Sequence, residues 1–596
     1  MKSHLQDLLR AALQPLLAGK DLRAPDSIQI DAAKDKSHGD FASNLALVIA
    51  KPLGQSPRTV AQALVNNLPP SARVAKVEIA GPGFINFFLA ADAFQAVVAD
   101  VLKSGDKFGR DDSGSKGKIL VEFVSANPTG PMHVGHGRGA AYGDTVCNLL
   151  AATGWTVWRE YYINDAGRQV DVLTISVWLR YLDMFGESIS FPARAYAGGY
   201  ITECAERLRE KYGEQFRKPS ADVFAYGEPW SNEVITPDTD PETLKGFQEK
   251  QLDALISKAH ELLGNSYELI KEFALEKQLG VIRETLANFD VRFDQWSSEA
   301  ALVETGFVKK ALARLAEKGL TYDKDGALWM RTEAFGDEKD RVLIKADGAA
   351  TYFCNDLAYH IDKLDRAKTN DYPPLLMDVW GADHHGYIAR VRAAIEALTG
   401  RKDALNVQLI QFVTLSSGKM GKRSGNFVTL QDLIDEAGTD ATRFFYLMRS
   451  HEQHLEFNID LARSQSNDNP VFYVQYAHAR VCSVFAQFAE RGGKYDEAAG
   501  LAALHRLDNE HEKALLVQIN RFPEIIRKAA AEYEPHTLAF YLKDGLADAF
   551  HSYYNAHKFI VDDAELQSAR LALISAARQV LRNGLALLGV SAPEKM

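Results

Sequence analysis

The sequence predicts an α/β chain organised on a parallel, doubly wound sheet, with a small α+β domain before that sheet and an all-α bundle after it. Three observations lead there. A Val- and Phe-rich run from Val121 passes through a Pro/Gly loop into a helical pattern over Ala140 to Gly154, which is a strand, loop, helix unit. Leu375 to Thr399 repeats that order, with LLMDVWG as the strand, ADHHG as the turn, and Ile388, Val391, Ile395 and Leu398 as one helix face. From about residue 465 strand signals fade, and RLALISAARQVLRNGLALLG near the end is amphipathic. Strands separated by helices pair in parallel, and such sheets bind ligands beyond the carboxyl ends of their strands.

Taken in order, residues 1–92 read as one unit: an amphipathic helix in MKSHLQDLLRAALQPLLAG, a helix in RTVAQALVNNL (58–68), and strands in VAKVEIA and INFFLA around Gly-Pro-Gly. Residues 93–118 read as a linker, because KSGDKFGRDDSGSKGK (103–118) is dense in Gly, Ser and charge. The sheet-bearing domain is expected over 119–464, interrupted by a charged helical insertion at about 170–300. Within it VQLIQFVTL (407–415) supplies a further strand, followed at once by the loop SSGKMGKRSGNF. Residues 465–596 complete the chain as helices.

Bulk composition narrows the function classes. A chain of 596 residues with 46% hydrophobic and 25% charged residues is that of a multidomain globular protein. Its longest apolar runs, such as LALVIA (45–50), fall far short of the ~18 residues that cross a bilayer. Asp7 interrupts the N-terminal apolar pattern, so this stretch reads as a folded helix and not a secretory leader, and a cytoplasmic location is expected. Cys147, Cys204, Cys354 and Cys482 are scattered without a CxxC pair, which excludes a disulfide framework or a cysteine zinc site. The net charge of −11 means that any nucleic-acid partner must meet a local basic face on an acidic body.

Chemistry concentrates in three loops at strand ends. In HVGH, His133 and His136 bracket Val134-Gly135 where a helix begins, a place that offers backbone N–H groups and partial positive charge to a phosphate. Two histidines three apart could equally be metal ligands or ordinary residues at a helix start. KMGKR, with Lys419, Met420 and Lys422, is a cationic loop or, on the plainer reading, a solvated basic turn. ADHHG carries Asp383, His384 and His385. Adjacent histidines point different ways, so no metal site is read there. Glu122 lies within an apolar strand and needs a cation, either an internal Lys or Arg or a substrate guanidinium. Tyr352 and Asp356, four apart, share a face if that stretch is helical.

HVGH and KMGKR together resemble the HIGH and KMSKS motifs of class I aminoacyl-tRNA synthetases, with Gly421 in place of the usual first Ser and Arg423 in place of the last. Glu122, Ser125, Asn127, GDFASNLA (39–46), GPGFINFFL (81–89) and YVQYAHAR (473–480) are similar to the arginyl-tRNA synthetase family of bacterial type over essentially the whole length. The resemblance implies a Rossmann-type catalytic domain, an N-terminal domain contacting the tRNA core and a C-terminal anticodon-binding bundle. It implies ligation of L-arginine to tRNA(Arg) through an arginyl-adenylate, with activation dependent on tRNA. ATP with Mg2+ enters as substrate, no tightly bound cofactor is expected, and neither is a resident metal. No membrane is implied, and a monomer is expected.

By the same resemblance, His133, His136, Lys419 and Lys422 are catalytic, and His133, Gly135, His136, Asp383, Lys419, Met420 and Lys422 bind ATP. Arginine is expected against Glu122, Ser125, Ala126, Asn127, His136, Tyr352, Asp356 and Asp383 or His384, with Asn127 at the α-amino group. Asn86, Phe87 and Phe88 could stack on and read an unpaired tRNA base, or could form a core strand. Tyr473, Tyr476, His478 and Arg480 could meet the anticodon arm, although the same spacing describes a helix packing seam. A small-molecule nucleotidyltransferase and a catalytically silent, RNA-binding relative of the synthetases are the alternatives.

Overall fold

The computed structural model describes the chain apart from residues 21, 26–27, 34–37, 91, 115–116, 227–238, 370–372 and 417–427. The chain forms two compact units, Gly114–Ser464 on the one hand and Met1–Ser113 with Gln465–Met596 on the other.

The first of these is built on a five-stranded sheet. In chain order its strands are β1 (Lys118–Glu122), β2 (Thr156–Ile163), β3 (Gln295–Ser298), β4 (Leu375–Gly381) and β5 (Leu405–Ile410). Every neighbouring pair is parallel, and the spatial order is β3-β2-β1-β4-β5. Strand order therefore reverses between β1 and β4, and the crevice outside their carboxyl ends is where a ligand of such a sheet binds. β1 is central and buried on both faces, which is why its sequence reads as a continuous apolar run and not an alternating one.

Helix α1 (Val134–Ala152) follows β1 and begins six residues earlier than its apolar pattern suggested. It is buried nearly all round. A Cβ on Gly143 would stand 2.3 Å from the Phe123 ring, so this glycine sets how closely α1 lies on the sheet. Helix α2 (Tyr352–Ala367) precedes β4, and α3 (Ile388–Thr399) packs between β4 and β5, burying Val391, Ile395 and Leu398 as its spacing requires.

The insertion expected at about 170–300 is a helical body from Arg168 to Asn288 with a core of its own around Trp178, Tyr181, Phe216 and Ile270. It closes before residue 300, because Gln295–Ser298 pairs with β2 as the edge strand of the main sheet. A small antiparallel sheet of Thr321–Lys324, Ala327–Met330 and Arg341–Ile344 precedes α2. Its four-residue strands are too short to show an alternating pattern in sequence. The expected strand over 407–415 is two strands. Leu405–Ile410 joins the main sheet, the chain breaks at Gln411–Phe412, and Val413–Leu415 pairs in parallel with Leu455–Phe457.

In the other unit, a four-stranded antiparallel sheet and the helices Lys2–Leu17, Leu45–Leu53 and Pro57–Asn66 enclose a core that includes Leu9, Leu13, Ile49, Leu64, Ile85 and Phe87. Residues 465–596 are helical, from Pro470–Glu490 to the closing helix Ala564–Leu587. The segment expected to be a linker, 93–118, is largely built into this unit. Ala96–Ser104 is a helix that buries Val97, Val98 and Val101. Asn583 Nδ2 donates to the carbonyls of Gly105 (2.9 Å) and Phe108 (3.2 Å), Arg582 pairs with Asp106, and Asn520 donates to Phe94 O at 3.1 Å. Nine helical residues flanked by Gly, Ser and charge gave too weak a periodic signal against that background.

Candidate active site

The loop leaving β1 turns sharply before α1. Val124 and Ser125 both take positive φ, 69° and 39°, a conformation that costs β-branched valine most. The Ser125 hydroxyl holds this turn by donating to Glu122 Oε1 at 2.8 Å and accepting from the Tyr162 N–H at 3.1 Å. Ala126 is buried, its carbonyl bound by the Tyr161 hydroxyl at 2.8 Å, while Asn127 is exposed.

His133 is the N-cap of α1, and it forms a reciprocal capping box with His136. His133 Nδ1 accepts from the N–H groups of Gly135 (3.1 Å) and His136 (3.4 Å), and His136 Nδ1 accepts from the N–H of His133 at 3.2 Å. The rings stack with centroids 3.6 Å apart. A Cβ at position 135 would come within 2.9 Å of the His133 ring, so the stack requires glycine there. Burial lowers the pKa of His133, and burial with the neighbouring ring takes His136 down to about 3, so both rings are neutral near pH 7. With each Nδ1 occupied as an acceptor, the proton resides on Nε2. The pair thus presents N–H donors, not charges, at a helix N-terminus.

The lysine loop, with Lys419, Met420 and Lys422, lies outside the described residues. Its flanks do not. Thr429 forms an isolated antiparallel bridge with His133, and the Leu430 N–H donates to Met132 O at 2.8 Å, so the return of the loop is fastened to the HVGH segment. Thr429 also caps helix α4 (Leu430–Ala437) in a reciprocal box with Asp432. Arg138, on α1, is buried, and its guanidinium donates to the carbonyls of Gln411 (2.9 Å), Gln453 (2.7 Å) and Ser450 (2.7 Å), the segments that lead towards the pair of strands at the loop's stem. Replacing Thr429 with Ala removes the cap and should cost about 1 kcal/mol. A urea midpoint identical to that of the parent would show that the box is not formed.

The acidic side of the crevice comes from four elements. Glu122, at the end of β1, does have an internal cation: Lys363 Nζ on α2 lies 2.5 Å from its Oε2 and 2.7 Å from Asp378 Oδ1 on β4. Of the two partners considered for Glu122, the internal one is therefore present, and Glu122 is not an unpaired receptor for a guanidinium. Burial nevertheless pushes its pKa up against the pull of Lys363.

Asp356 and Glu299 are different. Tyr352 and Asp356 both lie on α2, as their spacing required, with Tyr352 at its first turn 80% exposed. Asp356 accepts from the Tyr387 hydroxyl, and its pKa is raised by burial. Glu299, which the sequence reading missed, is 8% exposed at the start of a short helix after β3, and burial and the nearby Asp356 and Asp165 raise its pKa. Among the described residues neither Asp356 nor Glu299 makes an ion pair. Glu299, Asp356 and Glu122 all act on the buried Tyr162 hydroxyl and disfavour its ionisation. Asp383 and His384 stand exposed in the turn after β4, 3.7 Å apart. Carboxylates with raised pKa that make no ion pair among the described residues are chemically suited to a positively charged ligand.

In the other unit several expectations change. Phe87 is fully buried in the core, paired with Phe41 and Val77, and cannot stack on a base. Asn86 is also buried, and Phe88 is half-buried under Lys76. Phe84 is the exposed ring of this strand, and with Asn86, Asn44 and His38 it lines a cavity of about 510 Å³. Tyr473, Tyr476, His478 and Arg480 share the helix Pro470–Glu490. His478 is buried and bonded to Pro593 O at 2.9 Å, which makes it structural. Arg480 lies over the Tyr476 and Tyr554 rings and bonds His551, leaving Tyr473, Tyr476 and Arg480 half-buried in a helix seam.

A 3-2-1-4-5 parallel sheet with paired histidines at the first helix start, bridged by Thr429 a few residues after the KMGKR motif in sequence, is the architecture of the catalytic unit of a class I aminoacyl-tRNA synthetase. Comparisons narrow this. Residues 3–89 match the arginyl tRNA synthetase N terminal domain, residues 97–189 and 258–458 the class I (R) catalytic domain, and residues 474–596 the DALR anticodon binding domain. The chain is 49% identical over the full length of both chains to the arginine–tRNA ligase of Thioalkalivibrio sulfidiphilus, and 50% identical, again over both full lengths, to that of Halorhodospira halophila. A Campylobacter jejuni structure described as a putative arginyl-tRNA synthetase superposes with a TM-score of 0.70 at 30% identity, covering 85% of this chain and all of its own. The Thermus thermophilus arginyl-tRNA synthetase shares the fold over both full lengths, with a TM-score of 0.71 at 24% identity. The chain belongs to the arginyl-tRNA synthetase family. Neither a small-molecule nucleotidyltransferase nor a silent relative is favoured by a match that runs through all three parts.

Proposed function

We propose that this chain ligates L-arginine to tRNA(Arg) in two steps, and the single observation that carries the choice of arginine is the Asp356 and Glu299 pair in the crevice, which makes no ion pair among the described residues. A guanidinium is a planar fork of donors that two carboxylates can grip at once, which a lysine ammonium cannot imitate. Tyr352 closes over it from the exposed first turn of α2. The arginine carboxylate oxygen then bonds to the α-phosphorus of ATP as the bond to the bridging oxygen breaks, and pyrophosphate leaves. In the second step a hydroxyl of the terminal ribose of tRNA bonds to the acyl carbon, loses its proton, and AMP departs.

Little covalent help is needed from protein groups, so positioning and charge stabilisation carry the rate. His133 and His136 donate through Nε2–H to phosphate oxygens. Because they are neutral, the positive charge must come from Lys419 and Lys422 and from the Mg2+ that enters with ATP. Gly135 and Met420 give backbone room and contact to the nucleotide, and Asp383 or His384 meets the ribose or the substrate amino group. The unit carrying Phe84, Asn86 and the helix of Tyr473, Tyr476 and Arg480 holds the tRNA, and tRNA binding completes the site before arginine is activated. The protein acts as a cytoplasmic monomer. Aminoacylation of tRNA assayed across the twenty amino acids tests the reading: charging with arginine alone is expected, and efficient charging with lysine or citrulline, or none with arginine, would overturn it.

A further inference from the structure

Lys363 is wholly buried, and the two carboxylates it bridges face each other in register across β1 and β4, Asp378 opposite Glu122. This is the reversal point of the sheet. Two acids side by side on adjacent strands repel, and burying a lysine to hold them is costly, so an apolar trio would stabilise the fold at least as well. The arrangement therefore calls for a function. Its geometric consequence is specific: with one Glu122 oxygen held by Lys363, the other is aimed at the Ser125 hydroxyl, which in turn holds the positive-φ turn from which Asn127 projects. Remove the cation and Glu122 is free to rotate, leaving the strained turn at Val124 and Ser125 without its clamp.

Arginine has two cationic ends. The flat guanidinium suits the two carboxylates Asp356 and Glu299. The α-ammonium, a compact charge with three donors, suits the remaining edge of Glu122 and the amide oxygen of Asn127. Lys363 lies on the same face of α2 as Asp356, seven residues on, with His360 between them bonded to both the Asp356 carbonyl (2.7 Å) and Asp378 (2.8 Å). One helix thus bears on both ends of the ligand. We propose that Lys363 is the positioning residue for the amino end of the arginine site, acting through Glu122 and the Ser125 turn. This rests on the reading of the crevice as an arginine site.

The test compares arginine with 5-guanidinopentanoate, which is arginine without its α-amino group. In the full-length protein with tRNA present, arginine-dependent exchange between ATP and pyrophosphate gives KM for arginine and for ATP, and competition gives Ki for the analogue. Lys363→Met should raise KM for arginine by about tenfold or more, the scale of one charge-assisted contact. KM for ATP and Ki for the analogue should stay within about twofold, so the preference for the amino group collapses. Ser125→Ala should change the same ratio in the same direction by a smaller factor. A parallel rise in the arginine KM and the analogue Ki, or no change in either, overturns the proposal in favour of a purely structural lysine. Should Lys363→Met fail to fold, Ser125→Ala decides, and a parental ratio in that variant is equally fatal. Absence of arginine-dependent exchange in the parent would overturn the underlying reading instead, and is seen before any variant is made.

Discussion

Lys422→Ala should lower kcat for adenylate formation by about 100-fold or more, while KM for arginine barely moves. The reason lies in the ionisation of the other half of the proposed ATP site. On the proposed reading His133 and His136 meet ATP through neutral Nε2–H groups, because burial lowers both pKa values and each Nδ1 is occupied by backbone N–H donors. They can orient phosphate oxygens but bring no charge to offset what builds up as pyrophosphate leaves. The proposal gives that duty to Lys419 and Lys422; a few residues further on, Thr429 forms a bridge with His133. A group engaged chiefly in the transition state changes kcat far more than ground-state binding, and donors of this kind are worth about 10²- to 10³-fold. Near-normal kcat in the variant would make the loop an ordinary basic turn. The same reasoning makes the rate insensitive to titration of His136 between pH 6 and 8, since burial and the neighbouring ring hold its pKa at about 3.

How far the sequence could be read depended on whether a signal was local. The β1-loop-α1 unit was legible because a doubly buried strand, a Pro/Gly loop and a helical period follow one another within about thirty residues. The helical stripe of Tyr352 and Asp356 was legible for the same reason. Glu299 was not: in SSEAAL it reads as the acidic residue that any first helical turn favours, and only β3, paired to β2 from across a long insertion, brings it to the crevice. Lys363 was hidden because lysine in a helix normally faces solvent. A clue existed, since Asp356, His360 and Lys363 fall at i, i+4 and i+7, which puts three polar residues on the stripe where α2 should be apolar. Phe87 and Phe88 were ambiguous in principle, for in an edge-proximal strand sequence alternation tells that two neighbours differ in environment but not which is inside. The helix at Ala96–Ser104 was lost to its surroundings, as its short apolar face is stabilised by tertiary contacts that sequence does not display.

The carboxylate pair offers the strongest test of which amino acid the crevice takes. Asp356→Asn keeps the shape of the side chain and removes its charge, and should weaken arginine binding by about 2 to 3 kcal/mol, the scale of a hydrogen bond to a charged group. Glu299→Gln should cost a similar amount. If the two grip one guanidinium as proposed, their effects need not add, but the double variant should lose on the order of 1,000-fold in affinity. Thermal stability should hold or rise in all three, since burial raises both pKa values and neither carboxylate makes an ion pair among the described residues. That separates a binding pair from a structural one, where stability and binding would fall together.

The pH dependence follows with a definite sign. On the proposed reading arginine requires the ionised carboxylates, and burial raises their pKa values in the free protein above the ordinary ones. Affinity should therefore weaken as the pH is lowered from 7 through those raised values, with protons taken up by the free site and released on binding. In the double variant the same titration should be nearly flat over that interval. Calorimetry of arginine binding in two buffers of different ionisation enthalpy reads the proton count directly. Equal proton release in parent and double variant would place the titrating groups elsewhere, and a parent whose affinity rises on acidification would rule out Asp356 and Glu299 as the guanidinium's partners.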